Sequence, residues 1–169
     1  TTGVRENQDI LDHYIAVIEG KTGSLIAAAG EYGSLLAGAS EEVIQMLATY
    51  GELVGVAFQL ADDVIDIVSD GASSGKTQGT DLREGVPTLP TILLNRAAEA
   101  GDESARQVRT LIEADLSSDD ALAAAVSALA AHPVMQEAWQ IAYDWADRAI
   151  AAIAPLPDST AKAALESFA

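Results

Sequence analysis

From Gly55 to Ser69 the chain is apolar except for Gln59, Asp62, Asp63, Asp66 and Ser69 itself. On a helix, Asp62 and Asp66 stack one turn apart on one face, Gln59 lies a turn earlier, and Asp63 flanks them. That spacing predicts converging carboxylates. Like charges so placed repel by about 0.2–0.5 kcal/mol, and by more when shielded from water, so a divalent cation would offset a real cost. Oxygen ligands without His or Cys select a hard ion, and Mg²⁺ in particular keeps its waters and shares the phosphate oxygens of a substrate. Taken alone, Asp-Asp-x-x-Asp is more often the wet face of an amphipathic helix. Context favours chemistry. The acids run into a long stretch, 70–89, in which Gly71, Gly75, Gly79, Gly85 and Pro87 accompany two of the nine cations, Lys76 and Arg83. A third cation, Lys21, precedes Thr22 and Gly23 at a predicted helix start, where free backbone N–H groups favour an anion. Acids beside scarce cations predict a metal–phosphate site. Gly75, Lys76 and Thr77 imitate a nucleotide phosphate loop, but position 70 is Asp where that loop needs Gly, and no strand precedes it.

The net charge, −17, repels nucleic-acid phosphates and anionic lipid surfaces, which disfavours non-specific nucleic-acid binding. An anionic substrate then requires local reversal of the field by cations or by metal held on carboxylates. The lack of Cys removes disulfides, thiolate zinc sites, iron–sulfur clusters and thiol nucleophiles. Uninterrupted apolar runs fall short of the roughly 18–20 residues that cross a bilayer, so no transmembrane segment is expected. A di-iron bundle needs Glu three residues before His, whereas Ile10 precedes His13 and Leu129 precedes His132. His132, just before Pro133, reads as structural, His13 as a surface or capping residue, and Trp139, Tyr143 and Trp145 as packing or interface residues in preference to a cation-binding box.

The elements that must position these groups are all helices. Ala, Leu, Glu and Gln dominate, apolar residues recur at three and four, and no β-branched alternation is sustained. The pattern predicts helices over 9–19, 22–39, 41–69, 89–100, 103–113, 119–131, 134–154 and from 158 onward, with Gly20 breaking the first from the second and 70–89 left as the one substantial loop. With 169 residues a single domain is expected. The absence of an initiator Met and an end inside a helical pattern predict a piece of a longer protein.

Lys21 to Ile26, Phe58 to Asp66, Gly75 and Lys76 through Gly85, and then Thr88, Leu89 and Pro90 follow one another in an order and spacing that resembles the C-terminal half of a trans-polyprenyl diphosphate synthase. The likeness is specific from about His13 to Leu94, and the later Ala-rich helices are compatible with it. The resemblance implies an all-α, antiparallel helical bundle of the isoprenoid synthase type, present as a C-terminal fragment. It implies a prenyltransferase: an allylic diphosphate ionises, isopentenyl diphosphate attacks the allylic cation head to tail, and a proton is lost, with Mg²⁺ driving the ionisation. By carry-over, Asp62 ligates Mg²⁺, Asp63 and Asp66 complete that motif, and Asp81 orients metal-bound water. Lys21, Thr22, Gln59 and Lys76 hold the allylic diphosphate, with Lys21, Thr22 and Lys76 as its catalytic groups and Phe58 on the pocket wall; Leu60, Ala61 and Val64 would shield the carbocation. Two departures stand out. Val86 follows Gly85 where the family often has Lys, and the family's first Asp-rich motif, with the Arg-rich segment after it, lies upstream of this sequence. The fragment alone is therefore expected to be inactive, and product length is left open. Family analogy adds a homodimer, and with nothing to anchor the chain the cytosol is the expected compartment. Two other classes stay in view: a non-catalytic subunit of a heteromeric prenyl synthase, against which the intact acids and Lys76 argue, and a terpene cyclase or squalene-type synthase, which is not expected to carry the 75–85 loop.

Overall fold

A computed structural model describes residues 10–69 and 78–169. Among the described residues there is no strand, and the helices follow in the order α1 (Ile10–Ile18), a π-helical turn (Glu19–Gly23), α2 (Ser24–Leu36), α3 (Glu41–Val68), α4 (Thr80–Glu84), α5 (Leu89–Glu99), α6 (Glu103–Ile112), α7 (Asp119–Ala130), α8 (Val134–Ile153) and α9 (Thr160–Phe168). This is the all-α class that the periodicity predicts. The predicted break at Gly20 does not occur. The backbone stays right-handed through the turn, with the Ser24 N–H donating to the Glu19 carbonyl in place of a carbonyl four residues back. One extra residue is absorbed as a bulge, so glycine here widens the helix without ending it. The stretch 70–89 is not all loop either, because α4 lies inside it, framed by Gly79 and Gly85 at φ 72° and 68°.

The chain folds as two compact units. Among the described residues, the first comprises 10–59 together with 141–169. Its core is Tyr50, Val54, Ala149 and Ile153, with Ile26, Leu47, Leu53, Leu156 and Leu165 packed against it. Small residues let α2 approach α3 backbone to backbone: a Cβ on Gly30 would fall 2.6 Å from the Leu47 carbonyl oxygen, and one on Gly51 would fall 2.6 Å from that of Ile26. The Tyr50 hydroxyl donates to the Leu165 carbonyl at 2.8 Å, fastening α9 to α3. Burial pushes that phenol's pKa up.

The second unit, Leu60–Gln140, is built on Leu60, Val64, Ile67, Leu89, Leu93, Leu94 and Leu129, all nearly or fully buried. Burying each such side chain contributes about 1.5–3 kcal/mol. Two of its helix starts carry side-chain caps. Asp102 accepts from the Ser104 and Ala105 N–H groups, and Ser118 accepts from that of Ala121 at 3.2 Å.

The 28-residue α3 has a window of mean hydropathy 1.3, enough in length and composition to cross a membrane, although no uninterrupted apolar run shows it. A core helix meets the same description, and 39% of that window is already buried inside the protein.

Candidate functional site

Lys21 and Thr22 stand on the π-turn, Lys21 exposed and Thr22 half-buried. The Thr22 hydroxyl donates a long hydrogen bond, 3.4 Å, to Oε1 of Gln59 on α3. Residues 37 apart in sequence are thus brought together. The Ser24 hydroxyl donates to the Gly20 carbonyl at 2.8 Å, satisfying an acceptor that the bulge displaces. Phe58, expected on a pocket wall, is 56% exposed, so any pocket it walls must be completed by something packed over it.

Further along α3, Asp62 and Asp66 are both half-buried and, four residues apart, lie on one face of the helix. The Oδ2 of Asp66 is screened from solvent and accepts no hydrogen bond, while the residue is engaged through other contacts. Asp63 does not join them. It is 3% exposed, and its carboxylate accepts the Leu89 N–H at 3.0 Å, so it sits across the N-terminus of α5, where a negative charge is favoured by the helix dipole. The same helix start is closed locally, with the Thr88 N–H donating to the Thr91 hydroxyl at 2.9 Å. The expected convergence of three carboxylates is not found among the described residues, since Asp63 is drawn to the start of α5. Leu60 and Val64, expected to shield a cation, are 0% exposed and belong to the core of their unit.

Asp81 lies in the first turn of α4 and is half-buried. Its helix is tied to the end of α3: the Gly79 N–H donates to the Asp66 carbonyl at 3.0 Å, and Gln78 Nε2 donates to the Ile67 carbonyl at 2.6 Å. These bonds satisfy carbonyls that the end of α3 leaves open, and they start α4 beside Asp66. Gln78 and Gly79 were not singled out by spacing; the signal for Gly79 is its left-handed φ, which only the fold reveals. Arg83, counted as a cation near the acids, is committed elsewhere, with Nη2 2.6 Å from the Asp119 carboxylate and Nε donating to the Leu116 carbonyl at 3.2 Å. Lys76 lies outside the described residues.

Among the described residues no three carboxylate or imidazole groups come together as a metal cage. Asp62 and Asp66 offer a two-carboxylate, oxygen-only donor set, which suits a hard ion that keeps water and substrate oxygens in its remaining positions. The donor set fits Mg²⁺ shared with a phosphate-bearing ligand and does not fit a closed structural site.

A second cluster imitates a hydrolase triad. His132 is buried, its Nε2 lies 3.0 Å from the Ser104 hydroxyl, and that hydroxyl lies 2.7 Å from Oδ1 of Asp102. Polarity rules out the nucleophile. The Val134 N–H donates to Nδ1 at 3.3 Å, so the neutral ring carries its proton on Nε2 and donates toward Ser104, which in turn donates to Asp102. No base faces the serine, and the cluster is the capped start of α6. The Ser104 hydroxyl and the Ala105 N–H hold the Asp102 carboxyl below the usual carboxylate range. His132 is thus structural, as its place before Pro133 predicts. On α8, Arg148 sits 3.9 Å above the ring of Trp145, a cation–π pair within one helix, while Tyr143 is exposed.

The family model described as Polyprenyl synthetase matches residues 2–129. The nonaprenyl diphosphate synthase of Mycobacterium tuberculosis is 42% identical over 168 residues, 99% of this chain and 49% of that protein. The octaprenyl diphosphate synthase of Escherichia coli is 39% identical over 158 residues, 94% of this chain and 48% of that one. Among solved structures, a geranylgeranyl pyrophosphate synthase from Corynebacterium glutamicum complexed with calcium and isoprenyl diphosphate superposes with a TM-score of 0.84 at 38% identity, covering 98% of this chain and 50% of that chain. A Caulobacter crescentus polyprenyl synthase, also complexed with calcium and isoprenyl diphosphate, gives 0.81 at 32%, covering 97% and 49%. The chain spans about half the length of the curated relatives it matches.

Proposed function

We propose that this chain, which belongs to the polyprenyl synthetase family, forms the C-terminal part of a single all-α isoprenoid synthase domain that condenses isopentenyl diphosphate with an allylic diphosphate. The observation that carries the reading is the acidic stripe of α3, in which Asp62 and Asp66 share a face and the helix bearing Asp81 is hydrogen-bonded to the Asp66 carbonyl. Asp62 and Asp66 would hold Mg²⁺, with Asp81 orienting its water. When bound, Mg²⁺ supplies positive charge where the leaving diphosphate gathers negative charge. Lys21 would add a donor on the π-turn, Gln59, oriented through Oε1 by the Thr22 hydroxyl, would turn its amide N–H groups to diphosphate oxygens, and Lys76 would add a further cation. Asp63 keeps the start of α5 in place and so fixes the acidic face from behind. The calcium and isoprenyl diphosphate carried by the solved relatives support the ligand class. The whole protein is read as a cytosolic homodimer.

The test uses the full-length protein with isopentenyl and allylic diphosphates, with and without Mg²⁺. Chain elongation that requires the metal is expected, and Asp62→Ala should lower turnover by about two to four orders of magnitude while the folded fraction stays near that of the parent. Metal-independent turnover, or near-normal activity of the Asp62→Ala protein, would count against the assignment.

A further inference from the structure

We propose that Gly55 is a positioning residue for the Lys21–Thr22 turn: the absent side chain at 55 lets the turn close on α3 so that Thr22 reaches Gln59. The inference rests on the reading of Lys21, Thr22 and Gln59 as diphosphate-holding groups.

Gly55 is buried within α3, one turn before Gln59 and on the same face. A Cβ built there would stand 2.8 Å from Gly23 Cα, 3.1 Å from Gly23 N and 3.2 Å from the Thr22 carbonyl oxygen. All three are backbone atoms of the turn, so no rotamer change relieves the contact and the turn itself must move. The opposing residue is also glycine: a Cβ on Gly23 would stand 3.0 Å from the Glu52 carbonyl oxygen. Two facing glycines thus set the distance between turn and helix where the chain takes up its extra π-helical residue, Ser24 N–H reaching back to the Glu19 carbonyl. Bulges of this kind recur at functional positions because they re-aim one or two residues without breaking the helix. Here the re-aimed residues are Lys21 and Thr22. The Thr22–Gln59 bond is already 3.4 Å long, so an outward shift of a few tenths of an ångström carries it past hydrogen-bonding range.

The other close glycines on the same helix pair make a matched control. A Cβ on Gly51 would meet the Ile26 carbonyl oxygen at 2.6 Å and Ala27 Cα at 2.8 Å, contacts at least as severe as those at 55, yet made with α2 beyond the turn. If glycine served packing alone, alanine at 51 and at 55 would have the same consequences.

The experiment compares Gly55→Ala and Gly51→Ala in the full-length enzyme, with the allylic diphosphate varied at saturating isopentenyl diphosphate and Mg²⁺, and then the reverse. Gly55→Ala is expected to raise KM for the allylic diphosphate about 10-fold or more while KM for isopentenyl diphosphate moves less than about 2-fold; Gly51→Ala should lower the melting temperature and leave both KM values within about 2-fold. In a Thr22→Val background the effect of Gly55→Ala should largely vanish, since the contact it disturbs is already gone. Should Gly55→Ala not fold, Gly23→Ala presses more gently on the same turn from its other side, 3.0 Å from the Glu52 carbonyl oxygen, and carries the same expectation. An unchanged allylic KM, equal KM changes in the 51 and 55 variants, or full additivity with Thr22→Val overturns the inference. Parent enzyme without prenyl transfer, or with an allylic KM indifferent to Lys21→Ala, overturns instead the functional reading beneath it.

Discussion

At the scale of single residues, the three aspartates of α3 divide into two jobs. Asp62 and Asp66 share a partly open face, whereas Asp63 is 3% exposed and spends its charge on the Leu89 N–H. Removing the Asp63 carboxylate leaves a buried donor unsatisfied at a helix start, so Asp63→Ala should cost about 1–3 kcal/mol in urea unfolding, and Asp63→Asn, which keeps an acceptor oxygen, less. Calcium or Mg²⁺ affinity should fall sharply in Asp62→Ala and little in Asp63→Asn. The opposite pattern, with a lost ion and an unchanged unfolding midpoint in Asp63→Asn, would make Asp63 a ligand. The spacing of the motif made Asp62 and Asp66 readable as a pair. It did not reveal the split, because the partner that claims Asp63 lies 26 residues away and donates through its backbone, which has no side-chain signature. The same holds for Arg83, legible as a scarce cation near the acids but drawn off by Asp119, 36 residues on.

Among the elements, α4 is the one whose placement depends most on glycine. Gly79 and Gly85 both have left-handed φ, 72° and 68°, but only at Gly79 would a Cβ collide with neighbours, Val126 and Leu122 of α7. Gly85→Ala should therefore cost about 1 kcal/mol through backbone strain alone, whereas Gly79→Ala adds a steric clash and should cost clearly more. Because the Gly79 N–H is held by the Asp66 carbonyl, the Gly79 variant should also weaken divalent-ion binding, and the Gly85 variant should not. Calorimetric melting with and without Mg²⁺ measures both; equal shifts for the two variants would remove the idea that α4 is wedged against α7. Helices as long as α3 and α8 could be read from apolar spacing, because that signal is local; the caps at the starts of α6, α7 and α9, Asp102, Ser118 and Ser159, come from the structure. The five-residue α4, with Leu82 as its one buried residue, shows too short a pattern, and its glycines read as loop. The π-turn was equally hidden: Gly20 looked like a stop, yet the helix runs on through it with the Ser24 N–H bonded to the Glu19 carbonyl.

On the scale of the whole molecule, charge and apolar surface pull against each other. The chain carries −17, yet α2 leaves Leu25 70%, Tyr32 61% and Leu36 87% exposed, one apolar side of the helix at spacings of seven and four. Covering three such side chains is worth about 1.5–3 kcal/mol apiece, while association costs at least about 4 kcal/mol in lost freedom, so a second copy seated on α2 should bind weakly unless more surface joins in. Repulsion between two chains of this charge opposes it further at low salt and fades as the screening length shrinks to about 10 Å near 0.1 M. Self-association of the 169-residue chain should therefore strengthen as salt rises, the reverse of an interface made by ion pairs, and Leu36→Lys with Leu25→Lys should abolish it. Sedimentation equilibrium across a salt series gives the answer, and a monomer at every salt and protein concentration would show that α2 is not a self-docking face. The isolated chain should be inactive in either case. The chain spans about half the length of its curated relatives, and on the proposed reading its two carboxylates and one lysine turn would hold a diphosphate without completing the shell that makes it leave.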